Sequence, residues 1–172
     1  MLRRSAREYY RSPAANCSTW SYSKSSKLAD ENDFSICGLE IYTTKQAFSD
    51  QLNDPKYFQP YRQAVEDEKL YGKPAEHTAW YPAAGFVARD VDATTSGPAL
   101  VSLSQLMCKD RDAIVNLLSD FAGWVKENEP GVLTYAVFTR PKAPKEVMLF
   151  ARYIDREAMD DHGEAPEHQE VV

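Results

Sequence analysis

Residues 40–57 read EIYTTKQAFSDQLNDPKY, and residues 151–168 read ARYIDREAMDDHGEAPEH. Identical residues stand 111 positions apart in these stretches, among them Tyr42 and Tyr153, Ala47 and Ala158, and Pro55 and Pro166. With a small shift, the similarity continues upstream from Thr19-Trp20 to Thr134-Tyr135. A fixed spacing between similar segments marks an internal repeat, so the sequence predicts two related units of about a hundred residues each.

The repeat also predicts how the chain divides. We expect a disordered or truncated N-terminal segment at residues 1–16 and a first, partial unit at residues 17–89. Residues 90–98 (DVDATTSGP) are typical of a linker, because small, polar and turn-forming residues cluster there. Residues 99–172 then form a second unit that lacks its last strand, since the first unit continues further past the shared segment.

Composition restricts the class of protein. The chain has 172 residues, of which 43% are hydrophobic and 27% charged, as in soluble globular domains. The formal net charge of −6 gives no electrostatic support for a nucleic-acid partner, and no apolar run is long enough for a membrane span. The basic N-terminal residues resemble a transit peptide, but a solvated tail or a domain edge is the alternative that the repeat favours. Three widely spaced cysteines predict no disulfide framework, and a cytoplasmic compartment fits best.

The two copies complement each other in predicted secondary structure. Residues 45–52, 112–127 and the segment from Arg156 have helical spacing, and a further helix begins at Pro55. The predicted strands are residues 19–23, 34–43, 77–86, 100–107, 132–139 and 147–154. Superposing the copies gives the order β-α-β-β-α-β, which is the ferredoxin-like arrangement of the α+β class.

No common catalytic motif is present. The sequence has no phosphate-binding loop, dinucleotide-binding glycine pattern, zinc motif or nucleophile elbow. His162 and His168 stand among carboxylates, but they lack the i, i+4 spacing of helical zinc ligands. We therefore expect neither a metal site nor a bound cofactor.

One run of residues is more specific. Residues 128–135 read NEPGVLTY and are followed by the strand at residues 148–153, then by Arg156-Glu157-Ala158 and by His162. This order resembles the antibiotic biosynthesis monooxygenase family, closely over residues 98–172 and more loosely over residues 17–89. The tandem arrangement, with Gly85-Phe86 after the last strand of a unit, resembles fungal members that have two fused units.

The resemblance implies a dimeric α+β barrel in which ferredoxin-like units pair. It implies a monooxygenase that oxidises aromatic, phenolic or polyketide-like molecules with molecular oxygen, often without a cofactor. A phenol that has lost its proton can react with oxygen directly, so the protein supplies a pocket, a base and hydrogen-bond donors. The implied catalytic residues are His162, Tyr153 and Tyr135, and Trp124 and Arg152 are the implied substrate-binding residues.

Each of these residues also has a purely structural interpretation. His162 can be a helix-surface residue, the two tyrosines sheet packing, and Trp124 a core aromatic. Arg152 alternates with Tyr153, so it should face the opposite side of the strand. The Glu129-Pro130-Gly131 run is interpreted as structural, with Gly131 at a helix end that needs positive φ.

The first unit differs from the second at two positions to which the resemblance assigns roles. The first unit has Gln51 where the second has His162, and Trp20 where the second has Tyr135. The second unit is therefore the expected contributor of any working site, and a non-catalytic binding or scaffold module on the same fold is the alternative function. Sheet edges left without neighbours predict association, most simply as a homodimer.

Overall fold

The computed structural model describes residues 2–25, 35–89 and 99–171, so the predicted linker at residues 90–98 lies outside the described residues. The helices are α1 (Leu2–Tyr10), α2 (Lys45–Leu52), α3 (Phe58–Asp67), α4 (Arg111–Asn128), α5 (Arg156–Glu164) and α6 (Pro166–Val171). The strands are β1 (Cys17–Lys24), β2 (Ile36–Tyr42), β3 (Tyr81–Phe86), β4 (Leu100–Met107), β5 (Val132–Thr139) and β6 (Glu146–Tyr153). All strand pairs are antiparallel, which confirms the α+β class with a ferredoxin-like arrangement. None of the helices in these ranges is both long and apolar enough to cross a membrane.

The first compact unit comprises residues 1–77. Its two-stranded sheet pairs β1 with β2, and helices α1, α2 and α3 belong to the same unit. Residues 1–16 were expected to be disordered or truncated, but residues 2–10 form α1. The reason is a helical stripe: Ala6 and Tyr10 are buried, and the Tyr10 ring stacks on Trp20 with centroids 5.2 Å apart.

The second compact unit comprises residues 78–172 and contains a four-stranded sheet in the order β3-β5-β6-β4. The sequence assigns residues 17–89 to the first unit, yet β3 pairs with β5, from Tyr81 opposite Thr139 to Phe86 opposite Tyr135. Among the described residues, this sheet therefore has four strands, and β3 takes the place of the strand that the sequence predicts to be missing. Strands β3 and β4 are its two edges.

Helix α4 packs on one face of this sheet and builds the core of the second unit. Phe121 and Val125 of α4 contact Tyr135 of β5 and Tyr153 of β6. Further along the same face, Leu118 packs on residues 137 and 147. Alternate side chains of a strand point to opposite faces, so the two tyrosines lie between sheet and helices.

The two units repeat one another in local geometry. The Thr44 side chain accepts a hydrogen bond from the Ala47 amide at the start of α2, and Asp155 does the same for the Ala158 amide at the start of α5. Strands β1 and β5 both carry a register shift at their second residue. These matches occur at the positions that the spacing in the sequence pairs.

Two glycines permit close contacts in the second unit. Gly131 was expected to have positive φ, but among the described glycines only Gly85 does. Gly131 instead allows close approach, because a Cβ there would lie 2.6 Å from the Cβ of Ala158. Gly85 has a φ of 85° and faces the backbone of β5, where an added Cβ would meet the Tyr135 carbonyl oxygen at 2.0 Å.

We expect Gly85→Ala to destabilise the protein by about 1–3 kcal/mol, because the new side chain is strained and displaces β3 from β5. Gly123→Ala is the matched control, since its site on α4 has no neighbour within 4 Å. Alanine is the better helix former, so that variant should be unchanged or more stable by up to about 1 kcal/mol. Urea unfolding measures both, and equal stabilities of the two variants would contradict the prediction.

Candidate functional site

A buried ion pair or hydrogen bond joins the end of α4 to helix α5. His162 projects from α5 and is 5% exposed. Its Nδ1 lies 2.6 Å from Oε2 of Glu129, the residue that follows α4. A carboxylate only accepts hydrogen bonds, so an ionised Glu129 accepts one from Nδ1–H of His162, and Nε2 of the neutral ring is then the acceptor nitrogen.

Aromatic rings surround His162. Its ring centroid lies 5.6 Å from that of Tyr135, 5.5 Å from that of Tyr153 and 5.7 Å from that of Phe121. The ring of His168, from α6, is nearer still at 4.8 Å. The three residues for which the resemblance implied catalytic roles are thus neighbours on the helix-facing side of the sheet.

Burial keeps the two phenols protonated. It raises the pKa of Tyr153 to about 12, and the Glu129 carboxylate adds to this shift. Burial is also the first cause of the raised pKa of Tyr135, followed by Tyr153 and Glu129. Both hydroxyls therefore remain neutral near pH 7 and are able to donate hydrogen bonds to an anion.

Two buried polar atoms near His162 lack a hydrogen-bond partner among the described residues: Oε1 of Glu129 and Nδ1 of His168. Burial and the neighbouring His162 lower the pKa of His168, so its ring is neutral near pH 7. A neutral imidazole and a carboxylate oxygen can each hydrogen-bond a water or a polar group of a small molecule. Buried polar atoms without partners are uncommon, and here two occur beside one residue.

The two predicted substrate-binding residues have different surroundings. Trp124 stacks on Phe121 with centroids 5.7 Å apart and packs against the core of the second unit. Arg152 follows the predicted alternation, because Tyr153 faces the helices and Arg152 lies on the other face of β6. Burial lowers the pKa of Arg152. The structure therefore brings Trp124 to the edge of the His162 cluster and places Arg152 on the opposite side of the sheet.

Sequence reasoning missed the role of Glu129. The sequence indicates only a structural helix end at Glu129, and its separation of 33 positions from His162 gives no local signal of their contact. His168 was considered only as a weak metal ligand. In the described part of the chain, no group of three or more His, Cys, Asp or Glu side chains is placed to hold a metal ion.

Arg89 fixes the backbone that carries Glu129. Its guanidinium donates hydrogen bonds to four carbonyl groups around the end of α4: those of Val125, Lys126, Glu129 and Val132. The last carbonyls of a helix are short of partners within the helix, so a side chain with several donors satisfies them well. Two of these four, those of Val125 and Glu129, also accept a backbone amide. Arg89 thereby holds the turn from which the Glu129 carboxylate reaches His162.

The first unit lacks these groups at the equivalent positions. Gln51 stands in the place of His162, is 5% exposed and donates to the Tyr10 hydroxyl at 3.3 Å. Trp20 stands in the place of Tyr135 and stacks on Tyr10. A glutamine amide does not accept a proton near neutral pH, so only the second unit has a base at this position.

Comparison with known protein families also distinguishes the second unit from the first. The family model for antibiotic biosynthesis monooxygenase matches residues 109–172, less than half of the chain. No curated protein sequence matches significantly. A solved structure from Lactobacillus acidophilus NCFM, described as a "putative monooxygenase", is similar with a TM-score of 0.72 and 18% identity, over 99% of this chain and 77% of that one.

A second structure with the same description comes from Fusobacterium nucleatum. It is similar with a TM-score of 0.57 and 17% identity, over 82% of this chain and 63% of that one, so this chain spans less than two thirds of its length. At these identities the likeness concerns the fold. The segment with Glu129, Tyr135, Tyr153 and His162 thus matches the antibiotic biosynthesis monooxygenase family, and the chain has the fold of two monooxygenase-like structures.

Proposed function

We propose that the second unit is the site of a cofactor-independent monooxygenase that oxidises an aromatic, phenolic or polyketide-like molecule with molecular oxygen. The observation that carries the proposal is the buried contact of 2.6 Å between His162 and Glu129, enclosed by aromatic rings. The family match over residues 109–172 supports the reaction class.

His162 is the proposed base. With Nδ1–H donated to Glu129, its Nε2 takes the proton of a substrate hydroxyl or of an acidic ring carbon. The Glu129 carboxylate stabilises the positive charge that then forms on the imidazole. Tyr135 and Tyr153, both protonated, donate hydrogen bonds to the substrate oxyanion, and Trp124 offers an aromatic face at the edge of the cluster. We assign Arg152 no direct contact with a substrate in this cluster.

The reaction balances without a further reductant. A ring CH₂ flanked by aromatic carbons loses one proton to His162, and the carbanion transfers electrons to O₂. One oxygen atom becomes the carbonyl oxygen of the product, and the other leaves as water with both protons of the CH₂ group, one of them returned by His162. The four electrons that O₂ accepts thus come from the two C–H bonds of the substrate. An electron-rich substrate thus supplies what a flavin or a metal supplies in other oxygenases.

A non-catalytic binding module is the second candidate function. It is favoured by the ring of His168, which lies 4.8 Å from His162, and by Phe121, which contacts both rings. These side chains occupy the space beside the proposed base, so a substrate has to displace α6 or enter between the rings.

We also propose that the tandem units are copies of one ancestral unit and that the chain forms a homodimer. The matching caps of α2 and α5 support a common origin of the two units.

Strand β4 supports the homodimer, since it is a sheet edge on which Leu103 is 48% and Met107 73% exposed. Light scattering at increasing concentration tests the dimer, and a monomer at every concentration would exclude it.

Glu129→Gln tests the positioning role of the carboxylate. Glutamine keeps the size of the side chain but removes the charge, so we expect kcat to fall about 10-fold to 100-fold with little change in KM. Glu127→Gln is the control, because Glu127 lies in the last turn of α4, two residues before Glu129, and is exposed. Equal activity of the two variants would remove Glu129 from the mechanism.

Oxygen uptake tests the proposed function itself. Purified protein, treated with a chelator and free of flavin absorbance, is mixed with anthrones, hydroquinones and polyphenols in an oxygen electrode. We expect uptake that depends on both protein and substrate. Folded protein that binds such molecules without consuming oxygen would establish the binding module instead.

A further inference from the structure

The first unit contains a cavity that the proposed reaction does not use. Six aromatic residues line it: Tyr9, Tyr10, Tyr22, Tyr57, Phe58 and Tyr61. Ala6 and Gln51 complete the lining, so none of the described side chains that line it is charged. The cavity has a volume of about 40 Å³ and is partly open to solvent, which suits a small head group with the rest of the molecule outside.

A carboxylate lies directly behind this aromatic wall. The hydroxyls of Tyr10 and Tyr22 both donate to Oε1 of Glu40, and the Tyr42 hydroxyl donates to Oε2 at 2.6 Å. The three donors are neutral phenols. Glu40 takes part in none of the ion pairs formed among the described residues. Its negative charge is thus solvated by hydroxyl groups, and no cation among the described side chains forms an ion pair with it.

This arrangement makes the cavity attractive to a positive charge. A neutral phenol that donates a hydrogen bond to a carboxylate has a more electron-rich oxygen and ring, which it presents to the cavity. Aromatic faces attract cations, and Lys56 already lies 4.6 Å from the centroid of the Tyr57 ring. Asp54 and Asp50 add negative potential near the cavity, since after burial they are the main causes of the raised pKa of Tyr9.

We propose that the first unit binds a small organic ammonium cation, with a trimethylammonium-like head enclosed by the aromatic rings and attracted by Glu40 through Tyr10 and Tyr22. A metal ion fits less well, because the lining offers rings and phenol oxygens rather than direct carboxylate ligands. A neutral aromatic molecule would fill the cavity but would leave the charge of Glu40 uncompensated. The proposal concerns the first unit and does not depend on the oxygen chemistry of His162.

Two small molecules of equal shape, one charged and one neutral, test whether the cavity prefers a positive charge. Choline and 3,3-dimethylbutan-1-ol differ only in that a quaternary nitrogen in the first is a carbon in the second. Titration calorimetry or ligand-observed NMR should show choline binding at least about 10-fold more tightly, which corresponds to about 1.4 kcal/mol. Equal affinity for the two probes, or no binding of choline to folded protein, would overturn the proposal.

Two variants locate the binding in this cavity. Glu40→Gln keeps a hydrogen-bond acceptor and removes the charge, so choline affinity should fall at least about 10-fold. Glu66→Gln on α3 is the control, because that side chain is 65% exposed and should leave the affinity unchanged. If Glu40→Gln does not fold, Tyr22→Phe, which removes one of the hydroxyls linking cavity and carboxylate, should weaken binding. Unchanged choline affinity in a folded variant would contradict the assignment.

Discussion

His162→Gln is expected to lower kcat for substrate-dependent oxygen uptake by about 100-fold or more. Glutamine can still hydrogen-bond to Glu129, but it cannot take a proton from a substrate. The fold should tolerate the change, because the first unit carries the buried Gln51 at the equivalent position. The effect should lie in kcat rather than in KM, since the variant keeps the rings of Tyr135 and Tyr153, which we propose to contact the substrate.

The reciprocal substitution is the matched control for this experiment. Gln51→His places an imidazole in the first unit, where the residue equivalent to Glu129 is Ala14, so no carboxylate positions it. Oxygen uptake should therefore stay as in the wild type. If His162→Gln retains full activity while folded, the base lies elsewhere and the proposed mechanism fails.

Arg89→Met is expected to cost about 3–5 kcal/mol of stability, the largest effect that we predict away from the core. Methionine has a similar length but no donors, so four carbonyl groups at the end of α4 lose a charged partner. Oxygen uptake should fall as well, even at temperatures where the variant is folded, because the turn that carries Glu129 becomes mobile. Urea unfolding with an activity assay on the folded variant measures both effects.

A second arginine provides the comparison. Arg156 on α5 forms an exposed pair with Asp160, at side-chain exposures of 62% and 59%. Exposed pairs contribute little, so Arg156→Met should change the stability by less than about 1 kcal/mol. If Arg89→Met and Arg156→Met lose similar amounts of stability, the hydrogen bonds of Arg89 to the backbone stabilise the protein no more than an exposed ion pair does.

Local pattern and internal repetition were sufficient for much of the fold. Helical spacing predicted a helix at residues 112–127, and α4 spans Arg111–Asn128 with Leu118, Phe121 and Val125 buried. Ala47 and Ala158, which stand 111 positions apart, have the same structural role. The backbone amide of each donates a hydrogen bond to the side chain that caps its helix. Helical period and capping residues lie close together in sequence, which is why they can be recognised without a structure.

Long-range partners could not be predicted in the same way. The sequence of β3 indicates a strand but not its neighbour, and its pairing with β5 joins residues about fifty positions apart. Glu129 and His162 illustrate the same limit at the site. The resemblance drew attention to His162, whereas Glu129 has the local signature of a helix end and only the packing of α4 on α5 reveals its contact.

The N-terminal residues show how composition can mislead. Arginine and serine suggested a solvated tail, but Ala6 and Tyr10 supply the apolar positions of a short amphipathic helix. The first unit then surrounds Glu40 with phenols, a feature that no motif marks because its residues come from α1, β1 and β2.

Oxygen-isotope labelling tests the central claim most directly. Chelator-treated protein is incubated under ¹⁸O₂ with an anthrone that supports uptake, and the product is analysed by mass spectrometry beside a reaction without protein. We predict one ¹⁸O atom in each product molecule, the second in water, and a rate that falls to the background level with His162→Gln. Product without ¹⁸O, or labelled product formed equally fast by the variant, would contradict cofactor-independent oxygenation at His162.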